Sequence, residues 1–417
     1  MSATLKIKHK FKELDNRRNK NVLIGVLIVV LLWITLNSSS SSSSPSPSLA
    51  DLETTAAQKY MKSKTPEKVT LEKSKEFIEV DGSKIELDNS GNDKIKACYV
   101  TLARNANLWD LLLTMQDLED RFNERYHYDW VFLNDVPFTD QFIKETSRIA
   151  SGRTKYGLIP KEHWSVPFWI DEEKADKARE EMQAKNVIYG GSLPYRHMCR
   201  FNSGFFYQNK LLDEYDYYWR VDTDVKFLCD INYDVFKFFK DSKKKYGFVV
   251  SIPEYIETIP SLWSTTKQFM EEYPQHIAKN NLMDFISDDG GLNYNRCHFW
   301  SNFEIGDLSF FRSKAYTDYF DYLDKSGGFF YERWGDAPVH SIAASLLLNE
   351  NEVHFFEDIG YSHNPFMNCP IRESIRQNGR CVCDPTKDIT FNSYSCIHKY
   401  YKLKGLEKPS EMSQYGF

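Results

Sequence analysis

The feature that most constrains the fold is a strand–helix–strand run that begins near residue 95. Residues 95–103 (IKACYVTLA) are rich in apolar and β-branched side chains, the composition of a strand. Over residues 107–122, Leu108, Leu111, Leu112, Met115, Leu118 and Phe122 recur at helical spacing and share one face. Residues 129–133 (DWVFL) read as a second strand. Two strands joined by a helix imply a right-handed crossover and a mainly parallel sheet, so the expected class is α/β. Further strands are expected at 217–221 (YYWRV), 246–252 (YGFVVSI) and 353–356, and a helix at 261–279. No internal repeat, G-x-G-x-x-G or Walker pattern occurs, so a dinucleotide or P-loop site is unsupported.

The stretch 217–227 (YYWRVDTDVKF) places Asp222 and Asp224 directly after an apolar strand. At the carboxyl end of a parallel strand, such a pair sits in the ligand crevice. Hard carboxylate oxygens there suit Mn²⁺ or Mg²⁺ bridging a diphosphate, whereas two aspartates in a solvated turn are the plainer explanation. Residues 298–311 (HFWSNFEIGDLSFF) set Glu304 and Asp307 among aromatic and amide groups. A carboxylate framed in this way can act at a sugar anomeric carbon, or simply bond to backbone or arginine. In 327–340 (GGFFYERWGDAPVH), Asp336 stands before the apolar run 342–348 and is placed either to cap that helix or to serve as a base. In 360–365 (GYSHNP), His363 is either a passive loop histidine or a nitrogen ligand to the ion beside the aspartates.

The amino-terminal segment sets the compartment. Residues 22–36 (VLIGVLIVVLLWITL) are apolar and uncharged, behind a leader that carries Lys6, Lys8, Lys10, Lys12, Arg17, Arg18 and Lys20. Positive flanks stay cytoplasmic, so the remainder is expected in the lumen. The run is short against the roughly 20 residues of an average span, which suits a thin early-secretory membrane. A cleaved signal peptide is the rival, but the leader is long and lacks an A-x-A site. Ser38 to Ser44 is an unbroken serine run followed by Pro45 and Pro47, a composition that cannot build a core. The expected organisation is a cytoplasmic tail at 1–21, a transmembrane anchor at 22–36, a flexible stem at 37–94 and a catalytic domain at 95–417. Asn37 begins a glycosylation sequon too close to the bilayer for use.

Composition excludes little but usefully. The net charge of -6, without a basic stretch in the body, disfavours nucleic acid. The 25 Tyr and 9 Trp suit carbohydrate surfaces or a large aromatic core. Four of the eight cysteines fall in the last 50 residues, which points to disulfides pinning the carboxyl terminus. Cys98 and Cys229, inside strand-like runs, read equally well as buried thiols. No C-x-x-C pair or His/Asp cluster occurs, so neither a zinc ribbon nor a metallohydrolase is supported.

Taken together, YYWRVDTDVKF, HFWSNFEIGDLSFF, FFYERWGDAPVHS and GYSHNP strongly resemble the fungal α-1,2-mannosyltransferases, glycosyltransferase family 15, over roughly residues 95–405. The resemblance implies a GT-A-like fold, a single-pass type II anchor in the Golgi membrane, GDP-mannose as donor, Mn²⁺ as cofactor and retention of configuration. It maps metal contacts onto Asp222, Asp224 and His363, and the proposed nucleophile onto Glu304. Tyr195 (in PYRHMCRFNSGFF), Arg220 and Asp336 match residues lining the site, and Arg104 (in TLARN) fits a nucleotide contact through its charge. The acceptor that the resemblance implies is a mannose-terminated glycan on glycoproteins. The usual Glu-Pro-Asp motif of the family is here Asp222-Thr223-Asp224, with a shorter first carboxylate and a freer backbone. Mannosylphosphate transfer and a catalytically weak Golgi glycan-binding role stand as alternatives.

Overall fold

The computed structural model describes residues 94–417, together with the backbone of β1 (Glu76–Val80) and β2 (Ser83–Leu87). The leader, the apolar run 22–36 and the serine spacer lie outside the described residues. The two early strands pair as an antiparallel hairpin, within the stretch expected as stem.

The opening crossover forms as β3 (Ala97–Leu102), α1 (Leu108–Arg121) and β4 (Asp129–Asn134). The apolar stripe of α1 is buried, with Leu111, Met115, Leu118 and the following Phe122 fully enclosed against the sheet. β5 (Thr154–Leu158), β6 (Tyr217–Val221), β8 (Tyr246–Phe248), β11 (Phe303–Asp307) and β12 (Val353–Phe355) complete a seven-stranded sheet in the order β12-β8-β11-β6-β3-β4-β5. Only β11 runs antiparallel to its neighbours. The sheet is therefore mixed and mainly parallel, and both faces carry aromatic-rich cores.

Three sequence expectations are corrected. The strand expected at 246–252 breaks after Phe248, because the chain leaves the main sheet and β9 (Ser251–Pro253) pairs instead with β10 (Cys297–Phe299). The helix expected at 261–279 spans only Leu262–Glu272, since Pro274 cannot continue the hydrogen-bond ladder. Cys229 is not a free thiol: it bonds Cys381, alongside Cys297–Cys396 and Cys369–Cys383, while Cys98 and Cys199 stay free and buried.

A small sheet at the carboxyl ends of the parallel strands joins β7 (Lys226–Phe227), β13 (Tyr361–His363) and β14 (Phe366–Asn368). Helices α2 (Leu193–Gly204), α3 (Lys314–Ser326) and α4 (Asp336–Leu347) pack together on one side. Gly204 permits that packing: a Cβ there would sit 1.9 Å from the Phe320 ring of α3.

Candidate active site

The site grows out of one strand pairing. β11 runs antiparallel to β6 with Glu304 directly opposite Arg220, so the two side chains stand beside each other on the same face. Two residues on, Gly306 lies opposite Tyr218 of β6 on one side and Tyr246 of β8 on the other. A side chain at Gly306 would meet the Tyr218 ring at 2.6 Å. Without one, both tyrosines reach Glu304: Tyr218 donates to Oε1, and Tyr246 to Oε2 at 2.6 Å.

α4 supplies the facing groups. Asp336 and His340 are one helical turn apart and project from the same side. His340 Nδ1 lies 2.7 Å from Glu304 Oε2, and its Nε2 lies 3.0 Å from the Asn202 carbonyl. A carbonyl only accepts, so Nε2 carries a proton. Nδ1 faces the Glu304 carboxylate, to which it donates when the ring is protonated. Burial lowers the His340 pKa, but the Glu304 charge outweighs it, and the net shift is upward from 6.5. Burial and Glu304 together push both tyrosine hydroxyls well above 10, so they remain donors. Glu304 itself is fully enclosed. Because folding raises the imidazole pKa, the pair's stabilisation is complete below pH 6.5 and fades as pH rises through the folded value. His340→Gln is accordingly expected to lower Tm more at about pH 5.5 than at about pH 9, measured by circular dichroism. Equal deficits would mean that Nδ1 is not protonated.

Arg220 bridges two carboxylates. Its Nε donates to Asp222 Oδ1 at 3.0 Å and its Nη1 to Asp336 Oδ2, which also accepts from Ser301 Oγ at 2.8 Å. Asp336 therefore does not cap its helix. Gly335 holds the N-cap position, and the aspartate carboxylate is turned to the arginine. Burial raises the Asp336 carboxyl, but the charges of Arg220 and His340 prevail and hold it below 3.8. For Asp222 the balance falls the other way, and burial lifts it above 3.8 despite Arg220. Glu304, Arg220, His340, Asn202, Leu102 and Leu133 line one narrow cavity.

The turn after β6 is braced from below and faced from the side. Thr114 of α1 donates to the carbonyls of Thr223 (3.3 Å) and Val225 (2.8 Å). β13 pairs with β7 and carries His363 to the turn, where its Nε2 lies 3.3 Å from Asp224 Oδ1. A carboxylate oxygen and an imidazole nitrogen about 3 Å apart have the spacing of two neighbouring ligands on one small divalent ion. Among the described residues no group of three or more His, Cys, Asp or Glu converges on a metal position. Two protein donors with the remaining positions open are what an ion shared with a substrate diphosphate requires, so the residues fit Mn²⁺. His363 Nδ1 is buried without a partner, which leaves Nε2 as the nitrogen that faces Asp224.

Tyr195, in the first turn of α2, stacks on Tyr189 with centroids 4.4 Å apart, and the Arg333 guanidinium lies 5.2 Å from its ring centroid. Arg104 is exposed just beyond β3; its carbonyl accepts from Asn107 N at 2.9 Å, while its guanidinium makes no hydrogen bond or ion pair with another described residue.

The family model for glycolipid 2-alpha-mannosyltransferases matches residues 50–405. The chain belongs to this family, glycosyltransferase family 15. It is 60% identical over 328 residues to alpha-1,2 mannosyltransferase KTR1 of Saccharomyces cerevisiae, covering 79% of this chain and 84% of that relative. It is 59% identical over 324 residues to glycolipid 2-alpha-mannosyltransferase 1 of Candida albicans, covering 78% and 75%. Among solved structures it resembles core-mannan synthase A (CmsA/Ktr4) from Aspergillus fumigatus in its Mn/GDP form, with TM-score 0.71 and 38% identity over 80% of this chain and 99% of that one. The S. cerevisiae mannosyltransferase Ktr4p in complex with GDP matches with TM-score 0.71 and 36% identity, over 77% and 84%.

In this family 15 chain the structure brings Arg220, Asp222, Asp224, Glu304, Asp336 and His363 into one linked cluster. Tyr195 adjoins it through Cys199, which bonds both the Tyr195 side chain and the Asp336 backbone, and Arg104 stands outside it. Sequence reasoning missed Tyr218, Tyr246, His340 and Asn202. Two signals were available: the four-residue spacing of Asp336 and His340, and the alternation of Tyr218, Arg220 and Asp222 on one strand face.

Proposed function

We propose that this chain is a retaining α-1,2-mannosyltransferase that moves mannose from GDP-mannose to a hydroxyl of a mannose-terminated glycan, with Mn²⁺ at the Asp224–His363 pair. One observation carries the reading: a buried carboxylate, Glu304, held by three donors at a cavity it shares with Arg220. The related structures that hold GDP, one of them with Mn, support the donor and the ion. When bound, Mn²⁺ supplies positive charge that neutralises the departing diphosphate.

The chain's own residues do the remainder. Glu304 Oε1 accepts one hydrogen bond from these groups and Oε2 two, so Oε1 keeps more free lone-pair density for the electron-poor anomeric carbon. Tyr218, Tyr246 and His340 hold the carboxylate still, so no reorganisation is needed as charge develops. Arg220, fixed between Asp222 and Asp336, sets the wall beside Glu304. Asp336, held ionised, can accept a hydrogen bond from an acceptor hydroxyl. Exposed Arg104 is placed to meet the nucleotide phosphates or base, and Tyr195 to pack near the donor. Neither mannosylphosphate transfer nor binding without turnover is favoured by this arrangement.

The wider setting is part of the same proposal. Residues 1–21 form the cytoplasmic tail, 22–36 a signal anchor and 37–94 the stem. The body from 95 to 417 lies in the Golgi lumen and acts on N- or O-linked glycans. The basic leader and the family support this layout. Among the described residues no helix is long and apolar enough to cross a membrane.

The test is transfer from GDP-mannose by the full chain in detergent, with mannosides as acceptors, followed by linkage analysis. Asp224→Ala and His363→Ala are each expected to raise the Mn²⁺ concentration for half-maximal GDP binding at least about tenfold by calorimetry. Unchanged Mn²⁺ dependence in both variants would remove the ion from this pair.

A further inference from the structure

No step above uses the aromatic wall that leads away from His363. Trp300 meets the His363 ring edge-on, with centroids 4.9 Å apart. Phe366 follows at 5.4 Å from Trp300, and Tyr394 stacks on Phe366 at 5.9 Å and 26°. The Tyr394 side chain is hydrogen-bonded to that of Tyr255. Exposure grows along the row: Trp300 and Phe366 are half-buried, Tyr394 is 40% exposed and Tyr255 53%. From Tyr255 the contacts lead on to the residue before Asp336, since a Cβ on Gly335 would stand 3.7 Å from Glu254 Oε2. Glu254, next to Tyr255, pairs with Arg333 at 3.5 Å, and Arg333 lies over Tyr195.

The scaffold beneath this row is rigid. Trp300 and Tyr255 flank the β9–β10 pairing, and Trp300 N donates to the Val250 carbonyl. The segment carrying Tyr394 is tied to the same pairing by the Cys297–Cys396 disulfide, and both Ser395 Oγ and Cys396 N donate to the Ser251 carbonyl. Phe366 lies in β14, paired to β13. The row therefore rests on β9, β10 and β14 rather than on the parallel strands β3 and β6.

We propose that Tyr255 and Tyr394, backed by Phe366 and Trp300, form a second sugar subsite, which takes the mannose residue next to the attacking one in an oligomannoside acceptor. This rests on the transferase reading above. A pyranose has an apolar C–H face and a hydroxyl edge. Tyrosine has the matching pair, a flat apolar ring and a polar tip. The row begins at His363 and reaches the surface at Tyr394 and Tyr255, so it fits a linear glycan that leads away from the transfer site. A disulfide-braced wall loses little freedom on binding, so the contact area converts into affinity.

The test compares methyl α-mannoside with α-linked mannotriose as acceptors for the full chain. Tyr255→Ala and Tyr394→Ala are each expected to raise KM for mannotriose about tenfold, while KM for methyl α-mannoside, KM for GDP-mannose and kcat change less than about twofold. Tyr255→Phe keeps the ring and is expected to stay within about threefold of the parent on mannotriose. Equal losses on both acceptors, or no loss on mannotriose, would overturn the subsite while leaving mannose transfer intact. A parent chain that transfers mannose to neither acceptor would overturn the transferase reading and the subsite with it.

Discussion

Replacing Glu304 by Gln is expected to lower kcat for mannose transfer by about a thousandfold, with Mn²⁺-dependent GDP binding held within about threefold. The amide is nearly isosteric, so the cavity keeps its shape. It has no charge to oppose the positive anomeric carbon. Its NH₂ also cannot accept from Tyr246 or His340, which both approach Oε2, nor from Tyr218 at Oε1. One donor bond is lost if the NH₂ takes the Oε1 position and two if it takes the Oε2 position. Single-turnover rates together with GDP titration separate the chemical step from binding. A variant with parental kcat would remove Glu304 from the reaction.

Replacing Asp324 by Ala is expected to cost about 3–5 kcal/mol of unfolding free energy, measured by urea denaturation. Asp324 of α3 receives both arms of Arg200 of α2, with Nε–Oδ1 at 2.7 Å and Nη2–Oδ2 at 2.8 Å. Both side chains are almost fully enclosed, at 3% and 7% exposure, so the orphaned guanidinium would have no water to return to. Its other partners, the carbonyls of Glu162 and Ser165, lie at 3.4 and 3.5 Å and replace little. The double variant Arg200→Met, Asp324→Leu should recover most of the loss, because apolar groups of similar volume need no partner. A double variant as unstable as the sum of its single changes would mean that packing, not the unpaired charge, sets the cost. The pair matters for function because α2 carries Tyr195 at its start and lends the Asn202 carbonyl to His340.

Much of the site was legible where residues chemically diagnostic of a ligand follow a strand of clear pattern. The turn at Asp222 and Asp224 lies at the end of a strand whose bounds were readable from YYWRV alone. Glu304 and Asp336 stood out because carboxylates in apolar surroundings need partners. The partners did not stand out. Tyr218, Tyr246 and His340 are, by composition, ordinary core residues, and only their convergence on one carboxylate gives them a role. The break after Phe248 was equally hidden, since YGFVVSI is continuous strand by propensity and is divided only by a competing partner, β10.

The local chemistry of the chain was sufficient for the α/β class, the opening crossover and the family, and it singled out Asp222, Asp224, Glu304, Asp336 and His363 as candidates. These depend on periodicity and on residue type, which are properties of neighbours along the chain. The facing of Glu304 with Arg220, the His340 ring against that carboxylate, the meeting of His363 with Asp224 and the three disulfides were decided by tertiary structure alone. Each joins segments far apart in sequence, and their pairing depends on strand register and packing across the sheet, which no local pattern records.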